Sequence, residues 1–368
     1  MARELGLGGT ERQLAETALS LDRARFEPHV ACFTGGGFRD GELRQAGVPI
    51  FEAGVRSLMP RSAVEGARRM GAYLKQNEIR LVHAFDVPAD LFAVPVARFY
   101  RTPVVLSSMR AHRNLTPGAT RHLLRVTDRM VNAIVVNSRA VARELEQEDG
   151  VAPAKIRLAY NGLDTSIFRP DGDRAPLPWN DAKAVIGIVC ALRPEKGIGL
   201  LVEAFRKVRA TRPGVKLLIV GSGPMLAELQ SAAAEDCHFQ PAERNVAPWL
   251  RAMDIFVLPS LSEALSNSLM EAMGCGCCPV ASKIGGNPEL VAPGETGLLF
   301  PVGDANALAE CLARLLDDSA FRHSLANAAC RRMHTEFTRE IAARRMAAIY
   351  EEFLVGQPIV AASGFPAG

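Results

Sequence analysis

The sequence has no long uninterrupted run of apolar residues. No segment approaches the roughly 18–20 apolar residues that a membrane-spanning helix requires, and the start, MARELGLGG, lacks the apolar core of a secretory leader. These absences predict a cytoplasmic protein. Of the 368 residues, 48% are hydrophobic and 23% are charged, which is typical of a globular chain large enough for two domains.

Paired cysteines of the kind that bind zinc are also lacking. Of the eight cysteines, Cys275, Cys277 and Cys278 lie close together and the others are scattered. A zinc site normally needs a second pair of ligands elsewhere in the chain. We therefore predict no metal site, and interpret the cluster as small side chains packed where a helix turns into a strand.

Acidic residues are scarce in one stretch of an otherwise balanced chain. The net charge is +3, yet residues 98–143 contain nine arginines and one acid, Asp128. Such a stretch is usually a solvated surface, but its one-sidedness favours an anionic neighbour, such as a phosphorylated lipid acceptor, an acidic glycan or a membrane surface. Nucleic acid is not expected, because no recognised binding motif accompanies the arginines.

The most informative stretch is LPSLSEALSNSLMEAMGCGCCPVASKIGG, residues 258–286. The apolar run from Asp254 to Ser260 predicts a buried parallel strand, and LMEAMG resumes a helical pattern after a small polar loop. The first amides of such a helix lack internal partners and carry a partial positive charge, so they favour a phosphate. The residues at this predicted helix start are Ser266, Asn267, Ser268 and Leu269.

Two carboxylates bracket that helix start. Glu263 lies before the helix and Glu271 inside it, with seven residues between them. Because a carboxylate repels a phosphate, we expect both to face something else, such as sugar hydroxyls. Two simpler interpretations stay open: Ser268 and Glu271 fit the spacing of a capping box, and Glu263 is then a solvated loop carboxylate.

Basic residues follow another predicted strand of the second half. AVIGIV leads into Arg193 and Lys196 just before a helix, although cations are unfavourable at helix N-termini. This position favours contact with an anion, because a departing diphosphate gains charge that fixed cations stabilise. Two exposed basic side chains are the simpler alternative. After the next strand, Gly221 would let a ligand or a helix approach closely.

The first half alternates short apolar strands with helices, which predicts a parallel sheet. A turn with Gly8 and Gly9 precedes the first helix and is by itself a weak phosphate-binding signal. Arg110, His112 and Arg113 follow a strand at the edge where ligands bind in such sheets. We expect them to contact an acceptor or a phosphate, although a lone loop histidine is more often a surface residue.

In combination these segments resemble the retaining, sugar-nucleotide-dependent glycosyltransferases of family 4, which have the GT-B fold. The resemblance rests on the Gly8-Gly-Thr-Glu turn, on Arg193-x-x-Lys-Gly, and on Glu263 and Glu271 followed by Gly285-Gly and Glu289. It implies an α/β protein of two Rossmann-like domains facing across a cleft. The implied parts are an acceptor-side domain (1–170), a linker (171–182), a nucleotide-sugar domain (183–336), a helix packing back on the first domain (337–354) and a tail (355–368).

The resemblance also implies roles for single residues. Arg193 and Lys196 hold the donor diphosphate, assisted by the amides around Asn267 and Ser268. Glu263 contacts sugar hydroxyls and Glu271 the nucleotide ribose. The glycines of the first turn, Gly8 and Gly9, let the donor phosphates or the acceptor approach. The family implies no metal and no other cofactor, since the nucleotide diphosphate sugar is a co-substrate.

The apolar first strand of that family is lacking. MAREL is too short and too charged for a central strand, and loss of such a strand would expose ladder groups on both neighbours. A start codon assigned too late, a truncated chain and a degenerate enzyme are three explanations, and we favour the first.

The predicted function is transfer of a sugar, with retention, from a nucleotide diphosphate sugar to an acceptor hydroxyl in glycolipid, exopolysaccharide or cell-envelope glycan synthesis. The expected partners are that donor, an acceptor glycan or lipid-linked glycan, and an anionic membrane surface that the protein contacts peripherally from the cytoplasm. Two alternatives stay open: a sugar-nucleotide 2-epimerase of the same fold, and a non-catalytic sugar-nucleotide binder, which the absent first strand favours.

Overall fold

The computed structural model describes residues 1–6, 8–56, 60–113, 116–233 and 236–355. The chain divides into two compact units: unit 1 comprises residues 1–136, 145–159 and 343 onward, and unit 2 comprises residues 137–144 and 160–342. Most of the predicted tail lies outside the described residues, which end at residue 355. Within those described ranges, no helix combines the length and the apolar character needed to cross a bilayer.

Unit 1 is built on parallel strands, as the alternating sequence pattern predicts. Its strands are β1 (Val30–Cys32), β2 (Ile50–Glu52), β3 (Leu81–Ala84), β4 (Val104–Met109), β5 (Ala133–Val136) and β6 (Ile156–Leu158). β3 to β6 form one sheet in that order, and β1 pairs with β2. β4 and β5 are buried along their whole length, as expected for a parallel sheet covered by helices.

Helices alternate with these strands. They are α1 (Gly9–Ser20), α2 (Phe38–Gln45), α3 (Pro60–Gln76), α4 (Val87–Phe99), α5 (Gly118–Met130) and α6 (Arg139–Gln147). α4 shows why the chain turns helical directly after β3: the carboxylate of Asp86 accepts a hydrogen bond from the Ala89 amide at 2.7 Å and caps the first turn. α6 contributes residues to both units.

The first residues of the chain lie between β1 and β3, at the position of the central strand. The Ala2 amide donates to the Ala31 carbonyl at 3.1 Å, and the Phe85 amide donates to the Met1 carbonyl at 2.8 Å. One parallel bridge pairs Ala2 with Cys32. The predicted exposure of both neighbouring strands is therefore relieved along this stretch, where the first strand is reduced to a single bridge rather than wholly absent.

Unit 2 contains one six-stranded parallel sheet in the order β12-β11-β10-β7-β8-β9. These strands are β7 (Ala184–Val189), β8 (Val215–Val220), β9 (Cys237–Gln240), β10 (Ile255–Leu258), β11 (Cys278–Ser282) and β12 (Leu298–Phe300). The helices are α7 (Ile198–Arg209), α8 (Leu226–Ala232), α9 (Ala247–Arg251), α10 (Asn267–Gly274), α11 (Asn287–Leu290), α12 (Ala305–Asp317) and α13 (Ser319–Glu336). α7 buries Ile198, Leu201, Val202 and Phe205, at the spacing of one helix face.

The cysteine cluster lies between α10 and β11. Cys275, Cys277 and Cys278 are buried free thiols, and burial raises the pKa of Cys275 and of Cys278 to about 12. Gly276 turns the chain with φ +86, a conformation that costs glycine little. The prediction of small side chains packed where a helix turns into a strand is confirmed.

The last described helix, α14 (Arg339–Leu354), begins in unit 2 and continues in unit 1. Within unit 1 the Tyr350 hydroxyl lies 2.9 Å from Nδ1 of His83, and Nε2 of His83 lies 2.8 Å from Oγ of Ser108. Burial lowers the pKa of His83 well below its usual range, so the ring is a neutral link between the helix and β4.

Candidate active site

The strand order of unit 2 fixes where a ligand is expected. The chain runs outward from β7 to β8 and β9, then crosses back to start β10 on the other side of β7. At such a reversal the loops at the carboxyl ends of the two central strands diverge and leave a crevice. The loops that follow β7 and β10 are the ones that contain Arg193, Lys196, Glu263 and Ser266.

The loop after β7 reaches directly onto the loop after β10. The Leu261 amide donates to the Glu195 carbonyl at 2.8 Å. Gly197 ends the 3₁₀ turn Pro194–Lys196 with φ +64, and a Cβ atom at this position would lie 2.2 Å from the Pro259 carbonyl oxygen. Glycine is therefore required here both by the backbone conformation and by the closeness of the second loop.

An ion pair joins the two loops. The Lys196 ammonium donates to Oε2 of Glu263 at 2.8 Å, and the Ser260 hydroxyl donates to the same oxygen at 3.2 Å. The Lys196 and Glu263 side chains keep 24% and 13% of their surface exposed, so both reach solvent. Arg193, which precedes the 3₁₀ turn, is exposed.

The start of α10 presents its amides at the same edge. Ser266 is the N-cap, and its hydroxyl accepts a hydrogen bond from the Leu269 amide at 3.3 Å. The Asn267 side chain accepts from the amide nitrogen of Asn161 at 2.8 Å, which fixes the first helical residue. Ser268 also lies in this turn, with its hydroxyl 3.2 Å from that of Ser266. The helix start therefore offers backbone donors and a partial positive charge to an anion.

The capping-box interpretation of Glu271 is wrong. It required Ser268 as the N-cap, whereas the helix begins two residues earlier, after Ser266. Glu271 consequently lies in the second turn, where no backbone amide is left without a partner for it to cap. It is buried, at 4% exposure. A contact with the ribose of a nucleotide stays a prediction.

Gly221 supports close packing of the chain on itself. Its φ is +152, and a Cβ atom there would lie 1.9 Å from the Cys190 carbonyl oxygen at the end of β7. The Gly221 amide donates to the Gln240 carbonyl at 2.9 Å. The close atoms belong to the segment that follows β7 and not to a helix, so the predicted approach of a helix is not observed at this glycine. Contact with a donor stays a prediction.

Glu289, named in the sequence pattern but given no role there, joins two parts of unit 2. Its carboxylate accepts hydrogen bonds from the Arg139 and Ala140 amides at 2.9 and 3.0 Å, and from the Tyr160 hydroxyl at 2.8 Å. These amides belong to the first turn of α6, whose orphan donors a carboxylate satisfies well. Sequence spacing gives no signal for a contact between residues so far apart in the chain.

The predicted acceptor-side residues lie in unit 1 and are not alike. Arg113 is 1% exposed, and its terminal nitrogens donate to the two oxygens of Asp128 at 2.7 and 2.8 Å. Asp149 lies 3.5 Å from the same guanidinium. A side chain buried in this way cannot reach an acceptor, so that prediction for Arg113 is wrong. Its observed role is to tie the loop after β4 to α5.

The other unit 1 predictions stay open. Burial lowers the pKa of Arg110 to about 10, and its guanidinium lies over the Phe85 ring, 5.2 Å from the centroid. His112 is half-buried in the same loop. Gly8 is the N-cap of α1 and Gly9 its first residue. None of these contacts identifies a ligand.

Two family models together match most of the chain. "Glycosyltransferase Family 4" matches residues 7–167, and "Glycosyl transferases group 1" matches residues 183–318. A GDP-mannose-dependent monoacylated α-(1-6)-phosphatidylinositol monomannoside mannosyltransferase of Corynebacterium glutamicum is 30% identical over 307 residues, which cover 77% of this chain and 80% of the relative. The chain belongs to glycosyltransferase family 4.

Two further proteins extend the comparison. The amylovoran biosynthesis glycosyltransferase AmsK of Erwinia amylovora is 37% identical over 177 residues, which is 44% of this chain and 43% of that enzyme. The chain therefore matches less than half the length of this relative. Anabaena HepE, solved in complex with UDP, superposes with a TM-score of 0.81 at 19% identity and covers 95% of this chain and 98% of HepE. This likeness confirms the predicted fold, GT-B.

Proposed function

We propose that this chain transfers a sugar, with retention at the anomeric carbon, from a nucleotide diphosphate sugar to an acceptor hydroxyl in glycan or glycolipid synthesis. Family membership supports glycosyltransferase activity in such a pathway. It does not favour the epimerase or the non-catalytic binder. The class of donor, the retention of configuration and the roles of the site residues are our proposals.

The proposal rests on three sources of positive charge on the loops at the carboxyl ends of β7 and β10 in unit 2. They are the Arg193 and Lys196 side chains and the amides at the start of α10. Arg193 and Lys196 lie on the loop after β7, the Ser266 cap opens α10 on the loop after β10, and the two loops are hydrogen-bonded to each other. A diphosphate carries more charge after the glycosidic bond breaks than before. Fixed cations and oriented amides therefore stabilise the transition state more than the bound donor.

In this proposal each residue of the edge has a distinct task. Arg193 and Lys196 hold the diphosphate, with the amides of Ser266 to Leu269. Glu263 contacts sugar hydroxyls next to the cations, and Glu271 contacts the ribose. The acceptor attacks from the face that the diphosphate leaves, and a phosphate oxygen takes the acceptor proton. The cations neutralise the leaving group, so we propose that no metal ion is needed.

Names of relatives indicate which donors to test first. HepE was solved with UDP, with UDP and glucose, and with UDP-glucose, and the corynebacterial relative is named for GDP-mannose and a lipid-linked acceptor. We propose a UDP- or GDP-linked hexose as donor and a glycan or lipid-linked glycan as acceptor. Arg110 and His112 remain the candidate acceptor contacts in unit 1.

The test begins with a thermal-shift screen of nucleoside diphosphates, because a ligand that binds the folded chain raises its melting temperature. Donor turnover is then compared between the wild type and Arg193→Ala. We expect kcat/KM to fall at least about 100-fold, with stability changed by less than about 0.5 kcal/mol because the side chain is exposed. Added EDTA should leave turnover unchanged.

Arg331→Ala is the matched control, because Arg331 is an exposed arginine of α13, far along the chain from the two loops. It should keep wild-type turnover. Activity within a few-fold of wild type in Arg193→Ala would show that the diphosphate assignment is wrong. If the donor is epimerised and no sugar is transferred, the proposed transferase activity is wrong and the protein is an epimerase.

A further inference from the structure

The surface of unit 1 contains an apolar groove that is lined by none of the residues used in the proposed reaction. Helices α3, α4 and α5 pack side by side, and the groove between them has a volume of about 480 Å³. Polar atoms contribute little to its lining. The residues that define it are Ala67 of α3, Leu91 and Pro95 of α4, and Leu123, Val126 and Met130 of α5.

Large apolar side chains are exposed along this groove. Val64 of α3 is 52% exposed, and Leu123 and Val126 of α5 are 55% and 52% exposed. Phe99 does not line the groove itself, but it lies one turn beyond Pro95 on α4 and is 80% exposed. Single exposed apolar residues are ordinary, but a contiguous patch marks a surface that binds something. Three neighbouring helices contribute to this one.

Exposed arginines border the patch. Arg61 and Arg68 are placed three residues before and four residues after Val64 on α3, and Arg129 is placed three residues after Val126 on α5, so each lies next to an exposed valine on its helix. The acids that follow α6 pair with other arginines, since Arg121 pairs with Glu148 and Asp149, and Arg125 pairs with Asp149. Glu65 of α3 is the exposed acid next to them.

The acids of α4 and α5 do not balance these charges. Asp90 of α4 and Asp128 of α5 are buried, and Asp128 is bonded to Arg113. The face therefore presents apolar side chains at its centre and positive charge at its margins. This is the arrangement of a surface that lies in the interface of a bilayer, with its apolar part among acyl chains and its cations at headgroup level.

We propose that this α3–α5 face, defined by Val64, Phe99, Leu123 and Val126 with Arg61, Arg68 and Arg129, docks on a membrane that contains anionic lipid. The positive charge of this face disfavours a second copy of the chain as its binding partner. In a two-fold dimer the same patch meets itself, so six arginines would border one interface, with the two Glu65 carboxylates as the only exposed acids on the described residues of α3, α4 and α5. Phospholipid headgroups supply the missing negative charge.

The experiment is vesicle flotation of the full chain without donor or acceptor. Vesicles of phosphatidylcholine alone are compared with vesicles that contain about 25% phosphatidylglycerol, at low and at high salt. We expect the wild type to float with the anionic vesicles at low salt and to be partly released by salt. Since no reaction takes place, this result is independent of the proposed transferase activity.

Two variants separate the apolar and the charged contributions. Leu123→Ser with Val126→Ser removes apolar surface, and Arg61→Ser with Arg68→Ser removes charge. Each arginine near an anionic surface contributes about a five-fold gain in partitioning, so the arginine variant should lose at least about ten-fold. Because all four side chains are exposed, the melting temperatures of both variants should stay near that of the wild type.

Matched controls carry the same chemical changes elsewhere. Ile167→Ser with Val302→Ser alters exposed apolar residues of unit 2, and Arg331→Ser with Arg344→Ser alters exposed arginines of α13 and α14. Both controls should float like the wild type. Wild-type protein that stays at the bottom of the gradient, or test variants that float like the controls, would overturn the proposal. Concentration-dependent dimers that the Leu123/Val126 variant abolishes would assign the face to a second copy instead.

Discussion

At the scale of single residues, the central feature of the candidate site is the ion pair between Lys196 and Glu263. Lys196 and Glu263 each follow from the sequence pattern, but their hydrogen bond joins residues 67 positions apart. Sequence spacing cannot show that contact, since it depends on β10 lying beside β7. The carboxylate of Glu263 therefore pairs with the cation that we propose for the diphosphate.

This pairing predicts different effects of Glu263→Gln on binding and on turnover. Loss of the carboxylate removes the proposed contact with sugar hydroxyls, and turnover of the sugar donor should fall about 100-fold or more. Affinity for the nucleoside diphosphate alone should stay equal or rise a few-fold, because Lys196 no longer has to leave an anionic partner. Calorimetric titration and donor turnover measure the two effects.

Glu203→Gln is the control for that change, because Glu203 pairs with Lys207 on the exposed side of α7, at 2.7 Å. It should leave both quantities unchanged. If nucleoside diphosphate affinity falls in Glu263→Gln as steeply as turnover does, the carboxylate supports the diphosphate site rather than the sugar, and our assignment of its task is wrong.

At the scale of elements, the strands could be predicted because they are short apolar runs between glycine or polar turns. β7, β8 and β10 all appear where their sequences indicate. The sequence does not fix the first residue of α10, because Ser266 and Ser268 are both good N-caps. The hydrogen bond from Asn161 to Asn267, a contact between distant parts of the chain, accompanies the earlier start.

The loops show a further limit of sequence analysis. The pattern predicts a turn before α7, but it does not show that this turn presses on Pro259. Gly197→Ala is the test, because it introduces a Cβ 2.2 Å from a backbone oxygen at a residue with φ +64. We expect a loss of about 2 kcal/mol or more in the free energy of unfolding, and weaker nucleoside diphosphate binding because the two loops separate.

Gly199→Ala, two residues later in α7, should have the opposite effect on the free energy of unfolding. A Cβ there meets no atom within 4 Å and the residue is helical, so alanine should raise stability by up to about 1 kcal/mol. Nucleoside diphosphate affinity should not change. Equal melting temperatures for the two variants would mean that the contact with Pro259 does not constrain the loop.

At the scale of the whole molecule, the arginine-rich stretch separates into side chains with opposite roles. Arg113 is buried against Asp128, and Arg121 donates to Asp149 at 2.8 Å, whereas Arg129 is exposed. The stretch looked one-sided in the sequence because Asp149 lies beyond its end. Which arginines are free to meet an anion is thus a property of the folded unit and could not be read from composition.

The same buried cluster contains Asp90, whose titration should make stability depend on pH. Asp90 of α4 is 1% exposed and lies near Thr127, Asp128 and Arg113. Its pKa is raised from 3.8 to about 7, chiefly because burial disfavours the charged form. Above about pH 4 the unfolded chain loses this proton while the folded chain keeps it, so the contribution of Asp90 to stability falls as pH rises from about 4 to about 7.

Asp90→Asn removes that titration while keeping the shape of the side chain. We expect the difference in unfolding free energy, variant minus wild type, to become more positive by about 2 kcal/mol between pH 5 and pH 8. Urea unfolding at each pH measures it, with the exposed Asp173→Asn as control. A difference that is flat across this range would show that Asp90 is already ionised in the folded chain at pH 5, and the assignment of a raised pKa to Asp90 would be wrong.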